Sequence, residues 1–370
     1  MTAKIYQLDT LLARTGIKTD QQTGALLSPI HLSTTYQHPD FGQSTGFDYT
    51  RTKNPTRSSL EATLAAIEQA SYALVSSSGM AALVLLFSGF PTGSKILAAR
   101  DLYGGSFRWF QEQEKAGRFQ FTYVQTEAEL LAAIDAEIDY VFLETPTNPL
   151  MVEFDLAQVA AAAHAHGAKL IVDNTFYTPV YQNPLTLGAD VVLHSATKYL
   201  AGHNDVLAGV LMTNDPILYE KLFYDHNTTG PTMSPFDAYL LMRGLKTLSL
   251  RMERATSNAQ AIVAYLRNCS AVKEVYYPGK GGMVSVKVKD VSRIPYILTH
   301  LQLFTFAESL GGVESLITYP ATQTHADIPA ELRHSYGLTD DILRLSVGIE
   351  AASDLIADLK HVLEETDDHL

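Results

Sequence analysis

The fold of this chain is decided by two short apolar segments that end in polar residues, Leu170-Ile-Val-Asp-Asn-Thr175 and Val191-Val-Leu-His-Ser-Ala-Thr-Lys198. Each apolar run has the length of a buried strand. Similar runs alternate with helical patterns from about residue 58 to residue 212, among them a helix over Asp155 to His166 that Gly167 would end. This alternation predicts an α/β fold with a mostly parallel sheet that is covered by helices on both faces.

A chain of 370 residues is too long for one ordinary core and predicts two domains and an arm. Residues 1–55 are polar and punctuated by Gly and Pro, which is typical of an arm with little core of its own. Residues 56–233 carry the strand–helix alternation and form the predicted large domain. A long helix or helix pair over Pro235 to Leu266 opens residues 234–370, which we expect to form a smaller C-terminal α/β domain.

Composition narrows the possible partners and the compartment. The 27 Lys and Arg residues are outnumbered by 40 Asp and Glu, so the net charge of −13 argues against nucleic acid or an anionic membrane as the main partner. We find no apolar run that suggests a signal peptide or a membrane span. The single cysteine, Cys269, excludes an internal disulfide and is expected to be a buried structural thiol. No metal-ligand spacing surrounds His194 or His203. Together these features predict a cytoplasmic enzyme without a metal site.

Polar residues follow the predicted strands at the sheet edge where α/β proteins bind ligands. Each group alone is a weak signal, because a strand-end Asp is often a helix cap and a lone Lys is usually a solvated side chain. The groups are Ser76-Ser-Ser-Gly79-Met80, Glu144-Thr-Pro-Thr-Asn148, Asp173-Asn-Thr175 and His194-Ser-Ala-Thr-Lys198.

Together these groups meet the requirements of pyridoxal 5'-phosphate (PLP). This cofactor needs a lysine for a Schiff base, a carboxylate at its ring nitrogen, an anion cradle for its phosphate and a platform for its ring. Lys198, Asp173, the Ser77–Met80 turn with Ser195 and Thr197, and Tyr103 can supply these in that order. Asp173 and Lys198 follow successive strands, so both can reach one crevice.

Further motifs occur in one order along nearly the whole chain, from about Thr23 to Leu363. They include Asn54-Pro-Thr-Arg57, Asp101-Leu-Tyr103-Gly-Gly, Ala307-Glu-Ser-Leu-Gly-Gly and Arg344-Leu-Ser-Val-Gly. In this order they resemble the Cys/Met-metabolism PLP enzymes, which are the cystathionine γ-synthases, γ-lyases and β-lyases and the methionine γ-lyases. The resemblance implies the fold-type I architecture, with a seven-stranded sheet in the large domain, and a homotetramer of two dimers that share their active sites.

The resemblance also implies a role for each site residue. Lys198 is implied to be the Schiff-base lysine and proton shuttle, Asp173 the partner of the ring nitrogen, and Tyr103 the stacking and catalytic tyrosine. The implied phosphate cradle consists of Gly79, Met80, Ser195 and Thr197, and it is completed by Tyr49 and Arg51 of a neighbouring subunit. The implied substrate-carboxylate clamp consists of Asn148, Ser309 and Arg344, with Asn148 also near the cofactor ring and Tyr49 near the substrate.

The choice of substrate depends on Glu308, since the Ala307-Glu-Ser-Leu-Gly-Gly pattern resembles that of enzymes that handle cystathionine. A carboxylate at this position could bind the distal ammonium of cystathionine. We therefore expect a cystathionine γ-lyase that forms cysteine, 2-oxobutanoate and ammonia. The alternatives are a β-lyase that forms homocysteine, pyruvate and ammonia, a γ-synthase that joins an O-acylhomoserine to cysteine, and a non-catalytic relative. One departure from the family pattern is a shortened segment over Tyr277 to Met283 around Lys280, which we expect to be a trimmed surface loop.

Overall fold

A computed structural model describes residues 6–17, 20 and 22–364 of the chain. The predicted arm at 1–55 and C-terminal domain at 234–370 therefore each include residues that lie outside the described part. Within it, no helix is long and apolar enough to cross a membrane.

The strands are short, and most of them match the apolar runs of the sequence to within one or two residues. They are β1 (Tyr72–Ser76), β2 (Lys95–Ala99), β3 (Gln120–Val124), β4 (Tyr140–Glu144), β5 (Lys169–Asp173), β6 (Val191–Ser195), β7 (Gly209–Thr213), β8 (Val272–Tyr276), β9 (Met283–Val288), β10 (Thr305–Phe306), β11 (Leu316–Thr318) and β12 (Ile342–Ser346).

The helices alternate with these strands through the first two thirds of the chain. They are α1 (Leu8–Ala13), α2 (Pro55–Ile67), α3 (Gly79–Ser88), α4 (Gly104–Lys115), α5 (Glu127–Ala133), α6 (Leu156–Ala165), α7 (Thr178–Tyr181), α8 (Pro216–Thr229), α9 (Pro235–Leu245), α10 (Leu248–Leu266), α11 (Ile294–His300), α12 (Ala330–Ser335) and α13 (Ala352–Glu364), with 3₁₀ turns at Pro184–Leu187 and Val291–Arg293.

The chain divides into two compact units, residues 1–92 with 169–249 and residues 93–168 with 250–370. The larger sheet has seven strands, of which the first unit holds β1-β7-β6-β5 and the second β4-β2-β3, in these orders. β7 runs antiparallel to both β1 and β6, whereas β5 with β6, and β2 with β3 and β4, are parallel. The predicted α/β class and the mostly parallel sheet are confirmed. The domain boundaries at residues 55 and 234 stay predictions.

Two helices of the first unit that border the site begin where a side chain caps them. Asn54 accepts hydrogen bonds from the Thr56 and Arg57 N–H groups, so α2 begins at Pro55, slightly before residue 58, where the sequence pattern places the start of the alternation. Its buried residues include Leu60, Leu64 and Ile67, as the helical periodicity predicts. Ser78 caps α3 in the same way, since its side chain accepts from the Ala81 N–H. Capping thus fixes both helix starts from the local sequence.

The second unit contains a five-stranded sheet in the order β10-β11-β12-β9-β8. Apolar side chains of α10, α11 and α13 pack with those of β9 and β12 into one buried cluster. Cys269 lies in this cluster as a buried free thiol, which confirms its predicted role. The shortened segment after Tyr276 connects β8 to β9 in antiparallel pairing, and the Tyr277 hydroxyl donates to the Gly281 carbonyl at 3.1 Å. Few residues are needed here because antiparallel neighbours can be joined by a tight turn.

One strand, β7, has no clear strand signal in the sequence. Its five residues follow an irregular stretch after Lys198, and its first residue, Gly209, weakens the strand pattern. A Cβ atom at Gly209 would lie 2.1 Å from the Ser78 carbonyl oxygen. The glycine therefore allows β7 to pass directly against the turn that begins α3.

Gly244 in α9 gives a stability test of close backbone packing. A Cβ atom at this position would lie 2.2 Å from the Ala201 carbonyl oxygen, so backbone groups would have to separate. In an unconstrained helix, Gly→Ala would stabilise by about 1 kcal/mol. We expect Gly244→Ala to lower the melting temperature despite this gain, measured by thermal unfolding. Arg243→Ala, on an exposed neighbour in the same helix, is the control. A Gly244→Ala protein that melts with or above the control would contradict the packing argument.

Candidate active site

Asp173 and Ser195 are joined by the hydroxyl of Thr175. This hydroxyl donates to Oδ1 of Asp173 at 2.5 Å and accepts from the Ser195 N–H at 2.8 Å, and the Thr175 N–H also donates to Oδ1 at 2.9 Å. Asp173 is the last residue of β5, and Ser195 the last of β6. The two strand ends thus place a carboxylate and a serine side by side, as parallel pairing requires.

The carboxylate of Asp173 is suited to a cationic partner. Burial raises its pKa, and this effect is opposed by the hydrogen bonds from Thr175 and by the nearby His194. Its second oxygen, Oδ2, accepts no hydrogen bond from the residues that the structure describes. A partly desolvated carboxylate with an open oxygen gains from an adjacent N–H cation, which would favour the ionised form.

The start of α3 forms an anion cradle next to Ser195. Gly79 and Met80 are the first two residues of the helix, where N–H groups have no acceptor within the helix and the helix dipole favours negative charge. A Cβ atom at Gly79 would lie 2.8 Å from Cβ of Ser195, so the close approach requires glycine. Ser195 Oγ has no hydrogen-bond partner among the described residues, whereas the Thr197 hydroxyl is bonded to both the N–H and the C=O of Ala208.

Lys198 lies on the turn that follows β6. Its N–H donates to the Ser195 carbonyl at 3.2 Å, and its own carbonyl accepts from the Gly202 N–H at 2.8 Å. The side chain is half-buried. The first unit therefore brings together the predicted lysine, carboxylate and phosphate cradle.

In the second unit, Tyr103 precedes the first residue of α4, and its N–H donates to both carboxylate oxygens of Glu144 at 3.0 and 3.1 Å. The two glycines that follow are required by close contacts. A Cβ at Gly104 would lie 2.1 Å from the Thr324 carbonyl oxygen, and a Cβ at Gly105 would lie 2.5 Å from Cε1 of the Tyr103 ring. The Tyr-Gly-Gly sequence thus lets the ring fold back over the helix start, with about half of it exposed.

The second unit also brings together the three predicted clamp residues. The Arg344 guanidinium is buried, and it donates to Oδ1 of Asn148 at 2.8 Å, to the Ser309 carbonyl at 2.9 Å and to the Thr318 hydroxyl at 3.1 Å. These three acceptors are uncharged oxygens, and together they fix the orientation of the guanidinium. Ser309 contributes its carbonyl to this arrangement and has a φ of 129°, which non-glycine residues rarely adopt. Glu308, next to it, is exposed.

Tyr49 and Arg51 lie on the exposed arm. The Arg51 guanidinium lies over the Tyr49 ring, 5.5 Å from its centroid, and both side chains are largely exposed. The structure therefore shows two exposed residues at these positions, and their predicted role at another subunit stays a prediction. In the described ranges, no group of three or more His, Cys, Asp or Glu residues could hold a metal ion.

His325 is a site residue that the sequence did not reveal. It is fully buried, and its Nε2 lies 3.1 Å from the Leu102 carbonyl and 3.0 Å from the Asn148 carbonyl. Since carbonyls only accept, Nε2 carries the proton, and Nδ1 can accept from the Thr324 hydroxyl at 2.9 Å. His325 therefore ties the residue before Tyr103 to Asn148. A lone His in an irregular segment carries no local signal of such a contact.

Comparison with known proteins decides the family. Residues 9–364 match the family model described as Cys/Met metabolism PLP-dependent enzyme. The chain belongs to this family. A cystathionine gamma-synthase/O-acetylhomoserine (thiol)-lyase of Bacillus subtilis is 49% identical over 96% of both chains, and a cystathionine gamma-lyase of the same organism is 44% identical over 96% of this chain and 98% of its own. The crystal structure of cystathionine gamma synthase from Xanthomonas oryzae pv. oryzae with aminoacrylate and cysteine has a TM-score of 0.94 at 40% identity, covering 97% of this chain and 98% of the other.

This Cys/Met-metabolism enzyme is therefore PLP-dependent and acts on carbon–sulfur bonds, as the sequence predicts, and the fold-type I architecture is confirmed. The residues of the first unit fit the cofactor. The open N–H groups at the start of α3 and the hydroxyl of Ser195 suit a phosphate, and the raised pKa and open oxygen of Asp173 suit a protonated ring nitrogen.

His325 gives this family member a testable pH dependence of stability. Burial, aided by the Arg344 charge, lowers its pKa from 6.5 to about 4. Between these values the unfolded chain binds more protons than the folded chain, so stability falls as the pH falls. From pH ~7.5 to ~5.5 we expect the wild type to lose about 1 kcal/mol more than His325→Gln, measured by urea unfolding.

The pKa of a second histidine, His226, is lowered as well, so it adds to the pH dependence of both the wild type and His325→Gln. The difference in pH dependence between these two proteins gives the contribution of His325 alone. His166→Gln, on an exposed residue, is the control and should follow the wild type. Equal pH slopes for His325→Gln and the wild type would show that His325 is not held neutral in the folded protein.

Proposed function

We propose that this enzyme makes or breaks the Cγ–S bond of L-cystathionine. The observation that carries the proposal is the pairing of Glu308 with Ser309. Glu308 is an exposed carboxylate, and the next residue contributes the carbonyl that orients the buried Arg344. A substrate with an α-carboxylate at Arg344 and a second ammonium group at a distance fits a carboxylate that is one residue away from the carbonyl bound to Arg344.

Arg344 is the proposed receptor for the α-carboxylate of the substrate. The guanidinium is oriented by these oxygens, and a guanidinium can bind a carboxylate with two parallel hydrogen bonds. Asn148 and Ser309 complete the clamp. Because Arg344 is held from several directions, the substrate binds without a large loss of side-chain freedom.

Lys198 is the proposed base and acid of the reaction. When bound, PLP supplies an electron sink that stabilises negative charge at the substrate Cα. Lys198 would bind the cofactor covalently. Its released amine would take up the Cα proton, pass it on to the cofactor and, as a free amine again, take up a Cβ proton, which chemistry at Cγ requires. Asp173 would pair with the cofactor ring nitrogen, Gly79, Met80, Ser195 and Thr197 would bind the phosphate, and Tyr103 is the proposed stacking residue.

We favour formation of the Cγ–S bond, that is, replacement of the acyl group of an O-acylhomoserine by cysteine. The support is the higher identity to the γ-synthase of Bacillus subtilis than to the γ-lyase of the same organism, 49% against 44%. This shifts the preference from the γ-elimination that the Glu308 pattern alone suggests. γ-Elimination of cystathionine stays the second candidate, because Glu308 serves either direction equally well.

The products decide between these directions. With O-acetyl- or O-succinylhomoserine plus cysteine, we expect cystathionine as the main product by mass spectrometry. With cystathionine alone, we expect the release of 2-oxobutanoate to be slower than this formation of cystathionine, because we propose the γ-synthase reaction as the main activity. Lys198→Ala should form neither product and should lack the visible absorbance of the bound cofactor.

Each other outcome has a definite meaning. Fast 2-oxobutanoate release with no cystathionine synthesis would replace the synthase proposal by the γ-lyase. Pyruvate as the main product from cystathionine would contradict chemistry at Cγ altogether and indicate a β-lyase. A colourless wild-type protein that PLP cannot reconstitute would overturn the assignment of Lys198.

We further propose that the active site is completed by a second copy of this chain and that the enzyme is a homotetramer of two such dimers. The support is the arm, whose large apolar side chains are exposed in the single chain. Phe41 is fully exposed, and Leu26 and Leu32 are 69% and 68% exposed. Large apolar side chains such as these gain free energy when a second chain covers them. Tyr49 and Arg51 lie on the same arm and are the residues proposed to reach the partner's phosphate.

A complementation test examines this sharing. Arg51→Ala and Lys198→Ala should each be inactive alone. Coexpressed, they should recover about one quarter of wild-type activity, because random dimers leave one intact site in each hybrid. Asp173→Asn with Lys198→Ala is the control and should recover none, since both residues belong to one chain's share of the site. No recovery with Arg51→Ala would contradict the shared site.

A further inference from the structure

Glu68 is a fully buried carboxylate that the reaction outlined above does not use. It follows the last residue of α2 and has no exposed surface. Its Oε1 lies 2.5 Å from Nε2 of His194 and accepts from Nδ2 of Asn174 at 3.0 Å, while Oε2 accepts from Nδ2 of Asn183 at 3.0 Å. A buried carboxylate costs several kcal/mol unless hydrogen bonds compensate it, and these three donors do so.

The donors to Glu68 lie at the two strand ends that carry the site. Asn174 directly follows Asp173 at the end of β5, and His194 directly precedes Ser195 at the end of β6. Both ends therefore converge on one carboxylate. Since a carboxylate only accepts, Nε2 of His194 must carry a proton, which fixes the orientation of its ring.

The groups around Glu68 are themselves held in place. Nδ2 of Asn174 also donates to the Gln182 carbonyl at 2.8 Å, and its Oδ1 accepts from Nε2 of Gln182 at 3.2 Å. Asn183 donates to the Ile67 carbonyl at 3.0 Å as well. Every polar atom of the Asn174 amide is thus used. Asn174 is held from both sides and His194 is fully buried, so displacement of Glu68 would move both strand ends.

We propose that Glu68 is a positioning residue for the cofactor, which acts through Asn174 and His194 to hold Asp173 against the ring nitrogen of PLP. The inference rests on the proposed role of Asp173. Glu68 touches neither cofactor nor substrate. Its carboxylate connects the end of α2 to the ends of β5 and β6, and the Thr175 hydroxyl then links Asp173 to Ser195. A shift of either strand end would therefore misplace the carboxylate that binds the ring.

The test is the affinity for PLP of Glu68→Gln, measured by absorbance titration after the cofactor is removed from the holoenzyme. Glutamine keeps the shape of glutamate but is uncharged and offers one acceptor oxygen instead of two. At least one of the three donors therefore loses its partner, and the bonds from Asn174 and His194 weaken even where they persist. We expect the dissociation constant to rise about tenfold, because PLP binding must then restore the position of Asp173 that the network no longer holds. The circular dichroism of the bound cofactor should change as well, because its ring sits at a different angle.

Glu61→Gln is the matched control, because Glu61 lies on the same helix and is also largely removed from water. Burial raises the pKa of Glu61 to about 7, and its Oε1 accepts from the Val75 N–H at 3.3 Å. It makes no contact with the Glu68 network. We expect Glu61→Gln to bind PLP within about twofold of the wild type, with an unchanged dichroism band.

A double variant separates this proposal from the role of Asp173. If Glu68 acts through Asp173, Glu68→Gln should weaken PLP binding much less in an Asp173→Asn background than in the wild type. Equal weakening in both backgrounds, or wild-type affinity of Glu68→Gln, would overturn the positioning role. Wild-type affinity of Asp173→Asn would instead overturn the proposed function of Asp173 itself.

Should Glu68→Gln fail to fold, Asn174→Ser provides the second route. It leaves Glu68 in place and removes the donor that connects this carboxylate to the end of β5. We expect the same weakening of PLP binding and the same change in dichroism. An Asn174→Ser protein with the affinity and dichroism of the wild type would overturn the proposal.

Discussion

The hydroxyl of Thr175 is the contact on which the cofactor half of the site depends. It donates to the Asp173 carboxylate and accepts from the Ser195 N–H, so it joins the ends of β5 and β6 at their polar termini. Parallel pairing brings the two strand ends to one edge, but it does not by itself fix the distance between a carboxylate and an anion cradle. The Thr175 hydroxyl fixes this distance, because it donates one hydrogen bond to Asp173 and accepts one from Ser195. Glu68 connects the ends of β5 and β6 a second time, because its carboxylate contacts both Asn174 and His194.

The sequence predicts those parts of the site whose signal is local. Asp173 and Lys198 stand out because unusual polar residues directly follow short apolar runs, and Gly79 because a glycine-containing turn opens an apolar helix. The structure places each of them where parallel strands end. The Tyr-Gly-Gly motif is local only in part, since Gly105 is explained by the neighbouring Tyr103 ring, whereas Gly104 is explained by the distant Thr324 carbonyl.

The sequence does not predict the contacts that join distant segments. Glu68 meets His194 across 126 residues, and His325 meets Leu102 across 223. Nothing in the residues beside Glu68 shows that it is buried, because it sits at the end of an amphipathic helix where glutamate is ordinarily solvated. β7 was missed for a related reason. Its place in the sheet is set by a close approach to the Ser78 carbonyl, which only the folded chain reveals.

The backbone conformation of Ser309 allows a comparison of serine with glycine at this position. At a φ of 129°, a non-glycine residue costs the fold about 1–3 kcal/mol, whereas glycine would adopt the same conformation without strain. The contact with Arg344 uses the backbone carbonyl, which glycine would supply equally well. The only thing that serine adds at this position is its hydroxymethyl group. The hydroxyl is therefore the one group of Ser309 by which this position differs from a glycine in the proposed substrate clamp.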